Sequence, residues 1–340
     1  MKRVIGFGEI MLRLNPKNYL RLVQATELEA TYSGAEANVM VSLANFGVDA
    51  AFVTKVPKHE IGQCAVNELR RFGVDVSNVI RGGDRLGAYY VEKGASQRAS
   101  KVIYDRAHSA ISEAKPDEFD WSLIFKNAGW FHFTGITPAL GDNATAATLE
   151  AVKTAKELGL TVSCDLNYRK NLWSKEKAGK VMSEIMPYID VCIANEEDAA
   201  DVFAIKAENS DVTKGQLDKD GYRSVAAQLM NKWPLKKVAI TLRESISAND
   251  NKWSGMLYEN GNAYFSPVYN VHIVDRVGGG DSFGAGLIFS ILSGYGSQEA
   301  INFAAAASCL KHSIEHDFSL MSVSEIKSLA DGDASGRVQR

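Results

Sequence analysis

Four short apolar runs, Trp130 to Phe133, Thr161 to Cys164, Val191 to Ala194 and Val238 to Leu242, alternate with helix-patterned stretches at roughly 142–158, 175–187, 195–203 and 222–231. No other feature constrains the fold as tightly. A strand that is apolar at nearly every position must be covered on both faces, and strands separated by helices cross over in parallel. The expectation is an α/β chain with a mostly parallel central sheet between two helical layers. Upstream the same rhythm recurs: a strand at Val4 to Phe7, a helix at Asn38 to Phe46 ending at Gly47, a strand at Ala51 to Val56, and a helix at Ile61 to Phe72 ending at Gly73. Downstream, Asn260-Gly261 predicts a hairpin. Helices are predicted at about 281–293, 297–312 and 322–329, and residues 206–221 read as a polar surface excursion.

Residues 86–105 interrupt the alternation. Tyr89, Tyr90 and Val91 lead into a polar KGASQ turn and Lys101 to Tyr104 return, an antiparallel signature shared with 22–32. A small β-sheet inserted at about 10–33 and 86–106, placed as a lid, accounts for both. The predicted organisation is one domain over 1–330 and a flexible tail over 331–340.

The composition narrows the functional classes. With 46% hydrophobic and 23% charged residues in a 340-residue chain, a large core is available and disorder is excluded. A net charge of −3 with interspersed signs argues against nucleic acid as partner. Cys64, Cys164, Cys192 and Cys309 form no close pair and read as buried thiols in a reducing compartment. Glu9 and Arg13 break the N-terminal apolar stretch, so neither a signal peptide nor a membrane span is expected, and the expected location is the cytoplasm.

The most chemically informative segment is VDRVGGGDSFGAG, Val274 to Gly286. A Gly-rich turn opening into a helix presents several backbone N–H groups to an anion, with the helix dipole behind them. Asp281 beside such a site suits a carboxylate that accepts a proton while the turn stabilises phosphoryl charge; the alternative is a simple helix cap. No P-loop pattern occurs, and Gly6-Phe7-Gly8 is only part of a dinucleotide fingerprint.

This segment resembles the second signature of the PfkB, or ribokinase-like, carbohydrate kinases, and Ser33 to Gly47 (SGAEANVMVSLANFG) resembles the first. The resemblance implies a ribokinase-like three-layer α/β/α fold and ATP-dependent transfer to a sugar hydroxyl. It implies Asp281 as general base and Gly278, Gly279 and Gly280 with Asp281 as the anion hole, Gly279 standing where Ala is usual. Asn195 to Asp198 matches an N-x-x-E motif with Asp in the fourth place, implying Asn195 at the phosphates and Glu197 or Asp198 near Mg²⁺ indirectly. Thr241 to Ser247 occupies a T-x-G-x-x-G nucleotide loop but lacks both glycines, leaving Thr241 and Arg243. Asn302 is implied at the adenine border. Monovalent-cation activation occurs in parts of the family.

Within it, Gly34-Ala35-Glu36-Ala37-Asn38 is similar to the G-A-E-A-N of kinases acting on 2-keto-3-deoxygluconate. Tyr104, Arg106, Asn167, Arg169 and Asp317 accompany it, with Tyr89 facing the acceptor. Arg106 and Tyr104 are implied at the sugar-acid carboxylate, and Arg169 between acceptor and phosphoryl group. The product would be the 6-phospho sugar acid. Two alternatives stay open: a neutral sugar or nucleoside as acceptor, or a non-catalytic sugar-binding protein, against which the intact Gly278 to Asp281 turn speaks. Lid pairing implies a homodimer or higher oligomer. His312 and His316, four apart, lack a third metal ligand.

Overall fold

The computed structural model describes residues 1–195, 197–206, 219–334 and 336. The chain runs β1 (Arg3–Phe7), β2 (Met11–Asn15), β3 (Glu29–Ser33), α1 (Ala35–Asn45), β4 (Ala50–Val56), α2 (Glu60–Arg71), β5 (Val79–Arg81), β6 (Ala88–Glu92) and β7 (Lys101–Asp105). It continues α3 (Trp121–Ile124), β8 (Ala128–Thr134), α4 (Ile136–Ala139), α5 (Asp142–Glu157), β9 (Thr161–Asp165), α6 (Lys175–Ile185), β10 (Val191–Ala194), α7 (Asp198–Phe203) and α8 (Lys219–Lys232). It ends β11 (Lys237–Ser245), β12 (Asp250–Glu259), β13 (Asn262–Phe265), β14 (Tyr269–His272), α9 (Gly279–Leu292), α10 (Ser297–Lys311) and α11 (Val323–Ala330).

Ten strands form the large sheet, in the order β13-β12-β11-β10-β9-β8-β1-β4-β5, with β14 also on β12. From β5 to β11 every pairing is parallel; β12, β13 and β14 add antiparallel strands at one end. Side-chain alternation divides the core in two: Val4 and Phe52 join one buried cluster with residues of α1, α9 and α10, while Ile5, Phe7 and Val53 join the other with α5 and α6. This is the expected helical coverage of both faces. The positive φ angles of Gly47 (81°) and Gly73 (79°) end α1 and α2 as glycine caps do.

The second sheet has four strands in the order β3-β2-β6-β7. Here the structure departs from expectation. The sheet is mixed, because β2 and β6 pair in parallel while β3 and β7 flank them antiparallel. Residues 22–24 form a 3₁₀ turn and the strand starts only at Glu29. Met11, Arg13 and Asn15 on β2, with Tyr89 and Val91 on β6, face inward, while Leu12 and Leu14 face out, half-buried.

Smaller corrections follow. Asn195 lies before the helix it was predicted to start, α7 beginning at Asp198. The polar excursion falls largely on 207–218, outside the described residues, but 219–221 belong to α8. Only Cys164 and Cys192 are buried; Cys64 is exposed and Cys309 half-buried. Among the described residues no helix is long and apolar enough to cross a membrane.

Candidate active site

The carboxyl ends of β1, β9, β10 and β11 open into a cavity of about 410 Å³, closed on one side by the small sheet and on another by the turn into α9. Open α/β sheets place ligands at this edge, where the strands end and the helices have not yet begun. The cavity gathers Gly34, Ala35, Asn38, Tyr89, Tyr104, Arg106, Asn167, Arg169, Asn195, Asp198, Thr241, Arg243, Gly278, Gly280, Asp281 and Asp317. Three predicted residues do not line it: Gly279, Asn302 and Glu197. Asn302 is on α10, accepting the Gln298 amide at 2.8 Å, and does not line the cavity. Glu197 lines a neighbouring outer depression between β7 and residues 168–172. Among the described residues no group of three or more His, Cys, Asp or Glu could hold a metal ion, and His312 and His316 share no helical face, since α10 ends at Lys311.

The Gly-rich turn folds as its sequence requires. Gly278 has φ 85° and is the N-cap of α9; a Cβ there would run into the Asp317 carbonyl. Gly279, Gly280 and Asp281 are the first helical residues, whose N–H groups have no intrahelical acceptor. Among the described residues a Cβ on Gly280 would meet nothing within 4 Å, and Gly280 lines the cavity, so the turn opens toward it there. Gly279 is turned the other way, buried against the His312 ring.

The Asp281 carboxylate bonds across to α1. It accepts a 2.6 Å hydrogen bond from Asn38 Nδ2, and Asn38 Oδ1 in turn accepts the Gly34 N–H. Burial, followed by the negative charges of Asp317 and Glu36, holds its pKa up to about 7 against the opposing Asn38 bond and Arg169. Glu36, also raised by burial, ties α1 to the end of β8 by accepting from Thr134 and Thr137. Asp165 at the end of β9 is raised well above the carboxylate range by burial, Asp198 and Asp281. Asn167 takes φ 40°, a backbone region Asn tolerates, and donates its N–H to Asp165.

Asp198 anchors backbone. Its two oxygens accept the N–H groups of Asn195 and Tyr168, and Asn195 Oδ1 accepts those of Glu197 and Asp198. The shorter Asp in the fourth position of the motif thus closes a reciprocal cap.

Two buried ion-pair networks line the side facing the small sheet. Arg106 is 8% exposed and pairs with Glu9, which also accepts from Ser109 at 2.6 Å; it is not a solvated edge charge. Tyr104 stacks on Tyr89 at 5.9 Å between ring centroids. Arg13, fully buried, bridges Asp275 and Asp317, and Tyr89 donates to the second Asp317 oxygen at 2.6 Å. Sequence reasoning singled out none of Glu9, Arg13, Glu36, Asp165 or Arg276 for the site. The available signal was a charge inside an apolar run for Glu9 and Arg13, position within the two signature segments for Glu36 and Arg276, and nearness to Asn167 at the end of a predicted strand for Asp165.

Residues 1–314 match the pfkB family carbohydrate kinase model. A 2-dehydro-3-deoxygalactonokinase from Haloferax volcanii is 32% identical over 98% of both chains, and a 2-dehydro-3-deoxygluconokinase from Thermoproteus tenax is 28% identical over 93% of this chain and 90% of its own. The crystal structure of a 2-dehydro-3-deoxygluconokinase from Thermotoga maritima, 53% identical, superimposes with a TM-score of 0.94 over 97% of this chain and 98% of its own. The chain belongs to the pfkB family of carbohydrate kinases.

Proposed function

We propose that this kinase transfers the γ-phosphoryl group of ATP to 2-keto-3-deoxy-D-gluconate, giving the 6-phospho sugar acid. The observation that carries the reading is the placement of Asp281 on the first turn of α9, with Asn38 on one carboxylate oxygen. A base with a pKa near the working pH accepts the acceptor hydroxyl's proton as that oxygen attacks phosphorus. The free first-turn amides receive the charge on the transferring group, and positioning contributes the rest. Arg169, in the throat between the cavity and the outer depression, bridges acceptor and phosphoryl group.

Arg243, Thr241, Asn195 and the α9 turn form the nucleotide side, and their donors suit phosphate oxygens. Mg²⁺, when bound with the nucleotide, supplies charge neutralisation there. Asp165 and Asp198 would hold it through its water shell, in keeping with the absence of a three-ligand cluster among the described residues. The small sheet acts as a lid over the acceptor, with Tyr89, Tyr104, Arg106 and Asp317 contacting the sugar acid. Its exposed edge strand β7, bearing Val102 and Ile103, supports lid pairing in a homodimer; a single 37 kDa species by light scattering would remove the dimer.

The Glu9–Arg106 pair favours a second reading. An arginine already neutralised by a buried acid attracts a carboxylate less strongly, which brings a neutral sugar within reach. The galactonate-derived C4 epimer is a third acceptor, given the Haloferax relative. ADP release with Mg·ATP against 2-keto-3-deoxygluconate, its galactonate counterpart, fructose, ribose and adenosine separates them. Preference for the gluconate-derived acid sustains the proposal; preference for a neutral sugar keeps the kinase but overturns the roles given to Tyr104 and Arg106.

A further inference from the structure

The stretch Thr241 to Ser247 holds the position of a glycine-rich nucleotide loop, yet it is not a loop. Strand β11 runs on to Ser245 and stays paired with β12, Arg243 opposite Trp253 and Ser245 opposite Asn251. A backbone held in a ladder cannot curl its amides around a phosphate, as a glycine loop would. Something else must supply donors on this side of the cavity.

We propose that Arg276 is a phosphate-binding residue of the nucleotide subsite and forms, with Arg243, a paired-guanidinium clamp on the polyphosphate. The proposal rests on the ATP-kinase reading above.

Both arginines line the cavity that Gly278, Gly280 and Asp281 also line. Arg276 stands two residues before the N-cap of α9, so the turn that presents the amides also fixes where its side chain starts. One edge of its guanidinium is anchored, Nη2 donating to the Ala248 carbonyl at 2.8 Å. Its Nε–H is buried without a partner among the described residues. A buried donor without a partner costs free energy, which a shift of the side chain toward an anion in the cavity would recover. The adjacent acid, Asp275, does not serve it: its carboxylate is paired with Arg13 and accepts the Val277 N–H. Burial and the nearby Arg243 charge both lower the Arg276 pKa, the expected result of two like charges facing one space. An anion between them relieves that repulsion, and a planar fork of donors matches phosphate oxygens.

Arg276→Gln keeps an N–H for the Ala248 carbonyl but removes the charge; Arg276→Lys keeps charge without the fork. Calorimetric titration with ADP, inorganic tripolyphosphate and adenosine, alongside KM for ATP and for the acceptor, tests the clamp. The expected result for R276Q is a loss of about tenfold or more for ADP and tripolyphosphate, unchanged adenosine binding and acceptor KM, and partial recovery in R276K. Unchanged tripolyphosphate binding in R276Q overturns the clamp, and so does an equal loss for adenosine, which would mark a structural role through Ala248. A wild-type protein that neither binds ADP nor turns over ATP overturns the kinase reading and the clamp together.

Discussion

Asn38 and Asp281 are separated by 243 positions in the chain, yet the Asn38 amide donates to Asp281 Oδ2 across 2.6 Å. Helices α1 and α9 each begin at a glycine N-cap, and the two helix starts meet at this bond. A hydrogen bond to the ionised form lowers a carboxylate pKa. Asn38→Ala is therefore expected to lift Asp281 above about 7 and to move the acidic limb of the kcat/KM profile upward by about one pH unit, the equivalent of one charge-assisted bond. Activity lost at neutral pH should return in part at alkaline pH. A limb that stays in place would assign it to another group.

Removing the carboxylate should separate activity from stability. Asp281→Asn is expected to lower turnover by about 10²–10⁴-fold, the range of a general base. The sign for stability is opposite. The folded-state pKa of Asp281 is raised from 3.8 to about 7, so its contribution is full at acid pH and is lost as pH rises through that value. The variant should thus gain in thermal midpoint at about pH 8 and show little gain at about pH 4. An equal shift at both pH values would show that charge burial is not the cause.

The Arg13 network joins the small sheet to the large domain. Its guanidinium serves Asp275, which caps the turn before α9, and Asp317, which also receives Tyr89. Arg13→Met leaves two buried carboxylates without their cation, and the expected loss is about 3–5 kcal/mol, read as a lower denaturant midpoint. Tyr89→Phe removes one bond to Asp317 and should cost about 1 kcal/mol. If Arg13→Met cost no more than Tyr89→Phe, the network would be no more than a local contact.

The parallel core was legible because each strand from β8 to β11 carries its burial in its own composition. The turn into α9 was legible because glycine, positive φ and helix start coincide at Gly278. The inner face of the small sheet was not. In Met11–Asn15 the leucines point outward and Arg13 is the fully buried residue, the reverse of what alternating hydrophobicity predicts, because its burial is compensated by acids 262 and 304 residues away. The parallel pairing of β2 with β6 was hidden for the same reason: register between distant segments leaves no local trace. Glu9 stayed out of view because its partner Arg106 lies 97 residues on.

Gly279 and His312 provide a test of packing behind the anion turn. A Cβ on Gly279 would stand 2.5 Å from His312 Cε1 and 2.7 Å from Nε2. The ring cannot easily yield: its Nδ1 is 2.7 Å from the Ser308 carbonyl, and it packs against Trp253 at 4.9 Å between centroids. Burial pushes its pKa down to about 4, so the neutral ring donates that bond from Nδ1. Where the family resemblance calls for alanine, this chain fills the alanine's space with imidazole. Gly279→Ala alone should therefore cost about 1–3 kcal/mol by overpacking and lower kcat by displacing the first-turn amides. His312→Ala alone should leave a small cavity. In the double variant the new methyl enters the vacated space, and a double-mutant cycle on denaturation midpoints should show a favourable interaction of about 1 kcal/mol or more. Strict additivity would mean that the two positions do not compete for one volume.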